Sequence, residues 1–412
     1  MSAFNIALSG LTAASTDLDV VSNNVANADT IGFKSSRAEF ADVYAAGAVN
    51  LNQSSVGQGV RVDATAQQFT QGDVTTTGSN LDLAINGNGF FTLQDASGTV
   101  YSRNGEFTQD QNGNVVNATG QALQVFPPTA NGGFNTGTTT DLNLETAQSA
   151  PLATTAGTVI LNLPSASTPP ALPFSATNPA TYNQSTSTTV YDSLGTPQTA
   201  TFYFVQTAVP NQWSVNMTVN GTVVGGPQTL TFSNTGAVTA PVGGALAFNG
   251  YTPTDGAAPM NMSFNFGQTT QFGGGFGVTS IIQNGFATGQ LSTVSIDASG
   301  IVSAVYTNGR TTQLGQVAMA NFPNPGGLKQ LGNTNWASTF QSGTVVEGTA
   351  SSAGFGSIQS GALESSNVDL TTELVNMITA QRAFQANAQA ITTANQNSQT
   401  VIAINHSHST RI

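Results

Sequence analysis

The chain has 412 residues, a formal net charge of −12, no cysteine, and only 7% charged residues, against about 25% in ordinary globular domains. That length makes two to three domains with an ample core, and the missing cysteine excludes disulfides, thiolate metal sites and cysteine nucleophiles. Eight basic residues, none between Asn104 and Gly309, leave no patch to neutralise phosphates or an anionic membrane, so neither nucleic acid nor membrane is an expected partner. No run of about 18 apolar residues crosses a bilayer. Residues 1–15 lack the basic and apolar stretches of a Sec-type signal peptide, so an extracellular protein of this sequence would leave by a route without cleavage.

Residues 1–27 read as one amphipathic helix. Phe4, Ala7, Leu11, Ala14, Leu18, Val21 and Val25 recur at alternating intervals of three and four, which is the seam of a coiled coil. A core helix of a globular domain would show the same stripe. Residues 27–32 read as a turn, 39–46 as a short helix or strand, and 60–69 as extended. Residues 30–80 together form an expected extended linker region.

From Leu81 the period changes to two. Leu81, Leu83 and Ile85 alternate with polar or small residues, the run Asn86-Gly87-Asn88-Gly89 turns the chain, and Phe90-Phe91-Thr92-Leu93 follows. Asn-Gly favours such hairpins because both residues tolerate positive φ. A Pro/Thr/Ala/Gly-rich stretch at 127–180 marks a boundary. Strands are expected at 188–191, 199–206, 212–219 and 228–232, at the spacing of a sandwich or barrel. Phe264 and Phe266 alternate in another strand, Gly273-Gly274-Gly275 gives a flexible return, and 294–296 with 301–306 resume the hairpin pattern.

The last segment is helical. Leu370, Leu374, Met377, Phe384, Ala388, Ile391 and Ile402 form a second seam shared with Gln381, Asn395, Ser398 and Asn405. Asp369 is a candidate cap and Glu373 favours the positive end of the helix dipole. From Ala383 to Thr410 the only titratable side chains are His406 and His408, which suits a helix covered on most sides by others. The expected fold is α+β and mostly β. A terminal helical domain (1–29 with 366–412) pairs the two ends in a coiled-coil-like manner. It encloses an inner β domain (81–145 with 286–365), into which an outer sandwich- or barrel-like domain (146–285) is inserted.

No catalytic, cofactor or metal site is expected. The histidines sit in a terminal tail, where a triad is hard to hold rigid. The Asp-containing turns at 110–113 and 297–300 lack the carboxylate run of a calcium loop. No glycine-rich stretch ends in the Gly-Lys-Ser/Thr of a phosphate-binding loop. Lys34 and Arg382 stand out because basic residues are scarce: each is either a solvent-facing charge or an ion-pair partner for Asp369 or Glu364 of a neighbouring copy.

Two segments carry a specific likeness. The first is Ser22-Asn23-Asn24-Val25-Ala26-Asn27 followed by Thr30-Ile31-Gly32-Phe33-Lys34, downstream of Ala7-Leu8-Ser9-Gly10-Leu11. The second is Gly361-Ala362-Leu363-Glu364-Ser365-Ser366-Asn367-Val368-Asp369-Leu370, continuing through Glu373-Leu374 and Ile378 to Ala380-Gln381-Arg382-Ala383-Phe384-Gln385-Ala386-Asn387. Both resemble the terminal signatures of the bacterial flagellar rod and hook family. The stretch 80–91 looks like that family's inner β domain. The central insertion, with Tyr191-Asp192-Ser193-Leu194-Gly195, is more loosely similar to the outer domain of its hook members.

The resemblance implies a non-enzymatic structural subunit that stacks helically into a short curved tube joining rod to filament. In such a tube the terminal helices line a channel, and the subunits transmit torque while the tube bends. It implies self-assembly through Phe4, Leu11, Leu18, Val21 and Val25 against Leu370, Leu374, Met377, Phe384, Ile391 and Ile402. It also places Asn23, Asn24, Asn27, Gly32, Phe33, Lys34, Gln381 and Arg382 in family motifs. The implied partners are rod, hook-cap and hook-filament junction proteins and the flagellar type III export apparatus, which takes its substrates without cleavage. Export substrates carry an early aromatic-x-x-x-aliphatic element that Phe4 and Leu8 fit, as they equally fit two positions of a helix. A distal rod subunit, or a secreted adhesin with a binding β domain at 146–285, are the alternatives.

Overall fold

The computed structural model describes residues 2–43, 57–144 and 148–409. Two helices stand at its ends, α1 (Ser2–Ala26) and α2 (Leu370–Ser409). α1 stops at a turn in which Gly32 takes φ +68°. A Cβ there would lie 2.5 Å from the Asn104 backbone nitrogen, so both conformation and space require glycine. α2 starts at the expected cap: Asp369 Oδ1 accepts from the Thr372 N–H at 3.0 Å, satisfying one free donor of the first turn.

The chain divides into two compact units, one of Met1–Glu145, Val294–Ala304 and Thr312–Ile412, the other of Thr146–Thr293 and Val305–Thr311. In the first, β1 (Ser36–Asp42) pairs antiparallel with β2 (Val60–Gln67) through a bulge at Glu39/Phe40, and both strands lie against α1. Of the stretch 39–46, residues 39–42 are therefore strand and Val43 follows it; residues 44–46 lie outside the described residues. The 30–80 region also holds β3 (Val74–Thr76), which pairs with Ala362–Glu364. β4 (Leu83–Asn86) pairs with Ser357–Ser360.

The glycine-rich turn after β4 leads to the hairpin of β5 (Phe90–Asp95) and β6 (Gly98–Ser102). β5 also pairs with Ala122–Phe126 and with Thr311–Asn321, and β6 with Asn335–Ala337. Their inner face buries Phe90, Tyr101, Phe322 and Trp336 against Phe69, with rings edge-to-face at 4.8–5.9 Å. The Trp336 Nε1–H donates to Gln67 Oε1 at 2.6 Å. The Asp-containing turns serve the backbone: Asp110 accepts from the Asn112 and Asn114 amides, and Asp297 from those of Ser299 and Ile301.

The second unit is a sandwich of two five-stranded sheets among the described residues. One is an antiparallel meander of Gln184–Tyr191, Pro197–Gln206, Gln212–Val219, Thr222–Phe232 and Val238–Ala240. In the other, Ala156–Pro164 runs parallel to Met260–Asn265 and Thr270–Phe272 and antiparallel to Gly277–Gln283. Alternate residues of both sheets meet in one core. Phe202 is wholly buried there and packs edge-on to Phe248, Phe264 and Phe266.

Each unit contains one of the chain's two tryptophans, Trp213 or Trp336, and both are buried. Phe202→Ala removes a wholly buried ring and should cost about 3–5 kcal/mol. The expected result is a lower urea midpoint in a Trp336→Phe background, where only Trp213 reports. In a Trp213→Phe background the Trp336 midpoint should stay unchanged. Equal shifts in both would mean that the units unfold as one.

Candidate assembly site at the root of the terminal helices

The segments leaving α1 and entering α2 meet at a buried ionic cluster. Lys34 and Glu364 have side chains with no exposure, and their Nζ and Oε1 lie 2.6 Å apart. Arg103, at 5% exposure, places Nη1 3.1 Å from Glu364 Oε2. The Gly72 N–H donates to Glu364 Oε1 at 2.9 Å. Lys34 also donates to the Thr70 carbonyl and Arg103 to that of Gly87, and the Arg103 guanidinium lies over the Phe90 ring, 5.4 Å from its centroid. Burial pushes the Lys34 ammonium below its usual range, opposed by Glu364 and reinforced by Arg103. Burial lowers Arg103 as well, again opposed by Glu364.

Polar side chains extend this junction. Asn24, 1% exposed, donates from Nδ2 to the Ser36 carbonyl at 2.8 Å and to Glu373 Oε1 at 3.2 Å, while its Oδ1 accepts from the Ser36 amide. Asn367 accepts from the Ser35 amide at 2.7 Å and donates to the Gln68 carbonyl. The Gly32 amide donates to the Glu364 carbonyl at 2.8 Å, and Phe33 is buried beside it.

Above the junction the helices run antiparallel. Asn24 meets Glu373, and a Cβ on Gly10 would sit 2.6 Å from Asn387 Oδ1. The paired positions sum to the same value (24 + 373 = 397; 10 + 387 = 397). Ala7, Ala14 and Val21 are buried along α1, with Leu11, Leu18 and Val25 half-buried; Ala380 is buried on α2, with Met377, Phe384, Ala388 and Ile391 half-buried. Phe4, the first position of the α1 seam in the sequence, is exposed rather than packed, as is Leu8.

The second seam is phased differently from its sequence reading. Its inward line is Glu373, Met377, Ala380, Phe384, Asn387 and Ile391, whereas Leu370, Leu374 and Gln381 face outward. Leucines at 370 and 374 matched the three-four spacing, but the Asn24–Glu373 bond sets the helix rotation. Ile402's side chain lies outside the described residues. Lys34 spends its charge on Glu364 of its own chain, which corrects the reading of it as an intermolecular or solvent-facing cation. Arg382 is exposed and makes no ion pair among the described residues. Asn27 bonds back to the Asn23 carbonyl within its own turn, and Asn23 is exposed. Arg103 went unread as a site residue; its signal was its isolation, as the last basic residue before Arg310.

Four family models match parts of the chain: "Flagella basal body rod protein" at 4–34, "Flagellar hook protein FlgE/F/G D1 domain" at 84–168, "Flagellar basal body protein FlaE D2 domain" at 162–286, and "Flagellar basal body rod FlgEFG protein C-terminal" at 359–404. The flagellar hook protein FlgE of Escherichia coli is 42% identical over 406 residues, covering 96% of this chain and 98% of that protein. The chain belongs to the flagellar hook protein family. The Borreliella burgdorferi hook protein is 33% identical, covering 94% of this chain and 96% of its own length. The crystal structure of Helicobacter pylori flagellar hook protein FlgE2 shares the fold, with a TM-score of 0.53 at 11% identity over 71% of this chain and all of that one. As a hook protein the chain is a structural subunit of the flagellum, part of the hook attached to the basal body, and its ionic junction sits where the two terminal family segments meet the inner β strands.

The cluster's net charge orders its variants. Lys34→Met leaves a neutral Arg103–Glu364 pair, whereas Glu364→Gln leaves two buried cations without an anion. Glu364→Gln should therefore destabilise by about 3–5 kcal/mol and Lys34→Met by clearly less, read by urea unfolding with Trp336 fluorescence. The reverse order would show that Lys34 contributes mainly through its bond to Thr70.

Proposed function

We propose that this hook subunit polymerises into a curved, flexible hollow tube coupling rod to filament, with the paired terminal helices as its inner wall and the β units outside. The tube transmits torque and encloses the channel through which later subunits pass. The subunit leaves the cell through the flagellar type III export apparatus without cleavage. At the ends of the tube it meets rod, hook-cap and hook-filament junction proteins. Full-length likeness to named hook proteins favours this reading over a rod subunit or an adhesin.

One observation carries the assembly part. Leu370, Leu374, Val375 and Ile378 are 46–58% exposed on the outward side of α2. Four large apolar side chains exposed within nine residues on one side of a helix are an interaction surface. The inward face is already occupied by α1, so the outer stripe is free for another copy.

Ile378→Asp places a charge on that exposed stripe. Exposed substitutions of this kind change monomer stability by roughly 0.5 kcal/mol or less, so circular dichroism of the monomer should match wild type. A charge buried in a subunit contact costs several kcal/mol, so negative-stain microscopy should show tubes from wild type and none from the variant. Normal tubes from Ile378→Asp would remove the outer stripe from the assembly contact.

A further inference from the structure

Between α1, β1 and α2 lies a crevice of 410 Å³ lined by Asp17, Val20, Arg37, Glu373, Asn376 and Thr379, among others. Two carboxylates face it, and neither has a cationic partner among the described residues. Glu373 Oε1 accepts from Asn24, but its Oε2 is buried with no hydrogen-bond partner. A buried acceptor left without a donor costs about 1–3 kcal/mol, more when charged. Burial also raises the Asp17 carboxyl above its usual range. Arg37, the one cation at the rim, is 68% exposed and turned to Glu39 at 3.2 Å. The crevice is thus an acidic site short of a cation.

The complementary group stands on the same chain and cannot reach it. Arg382 follows Glu373 by nine residues (382 − 373), which is about 2.5 helical turns and about 13–14 Å of rise. It therefore projects from the face of α2 opposite Glu373. It continues the exposed line Leu370, Leu374, Ile378 at intervals of four. In a chain with only 7% charged residues, an arginine without an ion pair on one side of α2 and, at the crevice on its other side, the carboxylates of Asp17 on α1 and Glu373 on α2 without a cation are complementary between copies.

We propose that Arg382 of one copy docks into this crevice on a second copy, its guanidinium lying between the carboxylates of Asp17 and Glu373. The contact rests on the polymer reading above and specifies its polarity. Because donor and acceptor lie on opposite faces, the contact is heterologous: each copy gives its arginine to one neighbour and receives one from another. Such contacts build open helical arrays when the rotation does not close. Guanidinium is the fitting cation, since its planar fork can satisfy both Glu373 Oε2 and Asp17 at once.

The test uses the full chain assembled in solution. Arg382→Gln should leave the monomer's circular dichroism unchanged and raise the critical concentration for tube formation by about tenfold, the scale of one charge-assisted contact. Raising salt from about 0.05 to about 0.5 M should weaken wild-type assembly more than that of the variant. Independently, Asp17→Cys with Arg382→Cys, in a chain without other cysteines, should give a ladder of covalent multimers with a short bis-maleimide. That linker is chosen because an Arg–Asp contact sets Cα atoms farther apart than a disulfide spans. Wild-type tubes together with Arg382→Gln tubes at the same concentration and salt dependence would overturn the pairing and leave the polymer reading standing. Tubes of the cysteine pair without a ladder would overturn it likewise. No tubes from wild type would overturn both.

Discussion

A carboxylate with no access to water must be surrounded by donors, and Glu364 is such a carboxylate. Leaving its charge uncompensated would cost several kcal/mol, so every segment that supplies a donor is fixed in place. Those segments are far apart in sequence: Lys34 just beyond α1, Gly72 ahead of β3, and Arg103 at the end of β6. Glu364 itself closes the strand that pairs with β3, five residues before the Asp369 cap of α2. One buried anion thereby sets where both helices leave the β structure. Gly72 shows how tightly: a Cβ there would lie 2.1 Å from the Ser365 carbonyl oxygen. The cluster carries two cations for one anion, and the surplus is spread over the Thr70 and Gly87 carbonyls and the face of Phe90.

With the roots fixed, the helices need little more to choose their register. Asn24 joins β1 to α2 through one amide, and a small residue at Gly10 lets Asn387 approach closely. Most of the seam consists of alanines and half-buried apolar residues, so each contact is modest and the sum depends on alignment. A helix pair of this kind is marginal in water by itself; here the ionic junction supplies the alignment that surface charge supplies in ordinary coiled coils.

Much of this was legible in the sequence. Most of the α1 stripe, the Asp369 cap and the alternating strands of the sandwich are local signals, written in residues three, four or two apart, and the structure forms them; Phe4 of the stripe is exposed, and the Asn-Gly run joins β4 and β5 without making them a hairpin, since β4 pairs with Ser357–Ser360 and β5 with β6. The phase of α2 was not legible. Leu370 and Leu374 satisfy the same spacing as Met377 and Phe384, and only a partner 349 residues away, Asn24 for Glu373, decides which line turns inward. The Lys34–Glu364 pair spans 330 positions and carries no periodicity at all. Scarcity was the only hint: Lys34 and Arg103 are two of only eight basic residues in the chain. Scarcity by itself fits a solvent-facing charge or a contact between copies, whereas for Lys34 it marks a buried contact within one.

That distinction bears on how the two faces of α2 divide their work. The inward face packs on α1 and bonds to Asn24 within the chain, all but Glu373 Oε2 at the crevice, and so contributes to the subunit's own stability. The outward face carries its apolar residues at 370, 374, 375 and 378 and then Arg382, with none of them needed for the fold. Beyond the stretch that α1 covers, residues 395–401 are exposed on every side and uncharged, a surface better matched to other helices than to water. Interfaces that must slide as a tube bends cannot afford many deep, rigid ionic locks. Placing the fixed charge cluster at the root, within each subunit, and leaving small apolar contacts and a single guanidinium for the outside lets each subunit stay intact while its contacts with neighbours adjust.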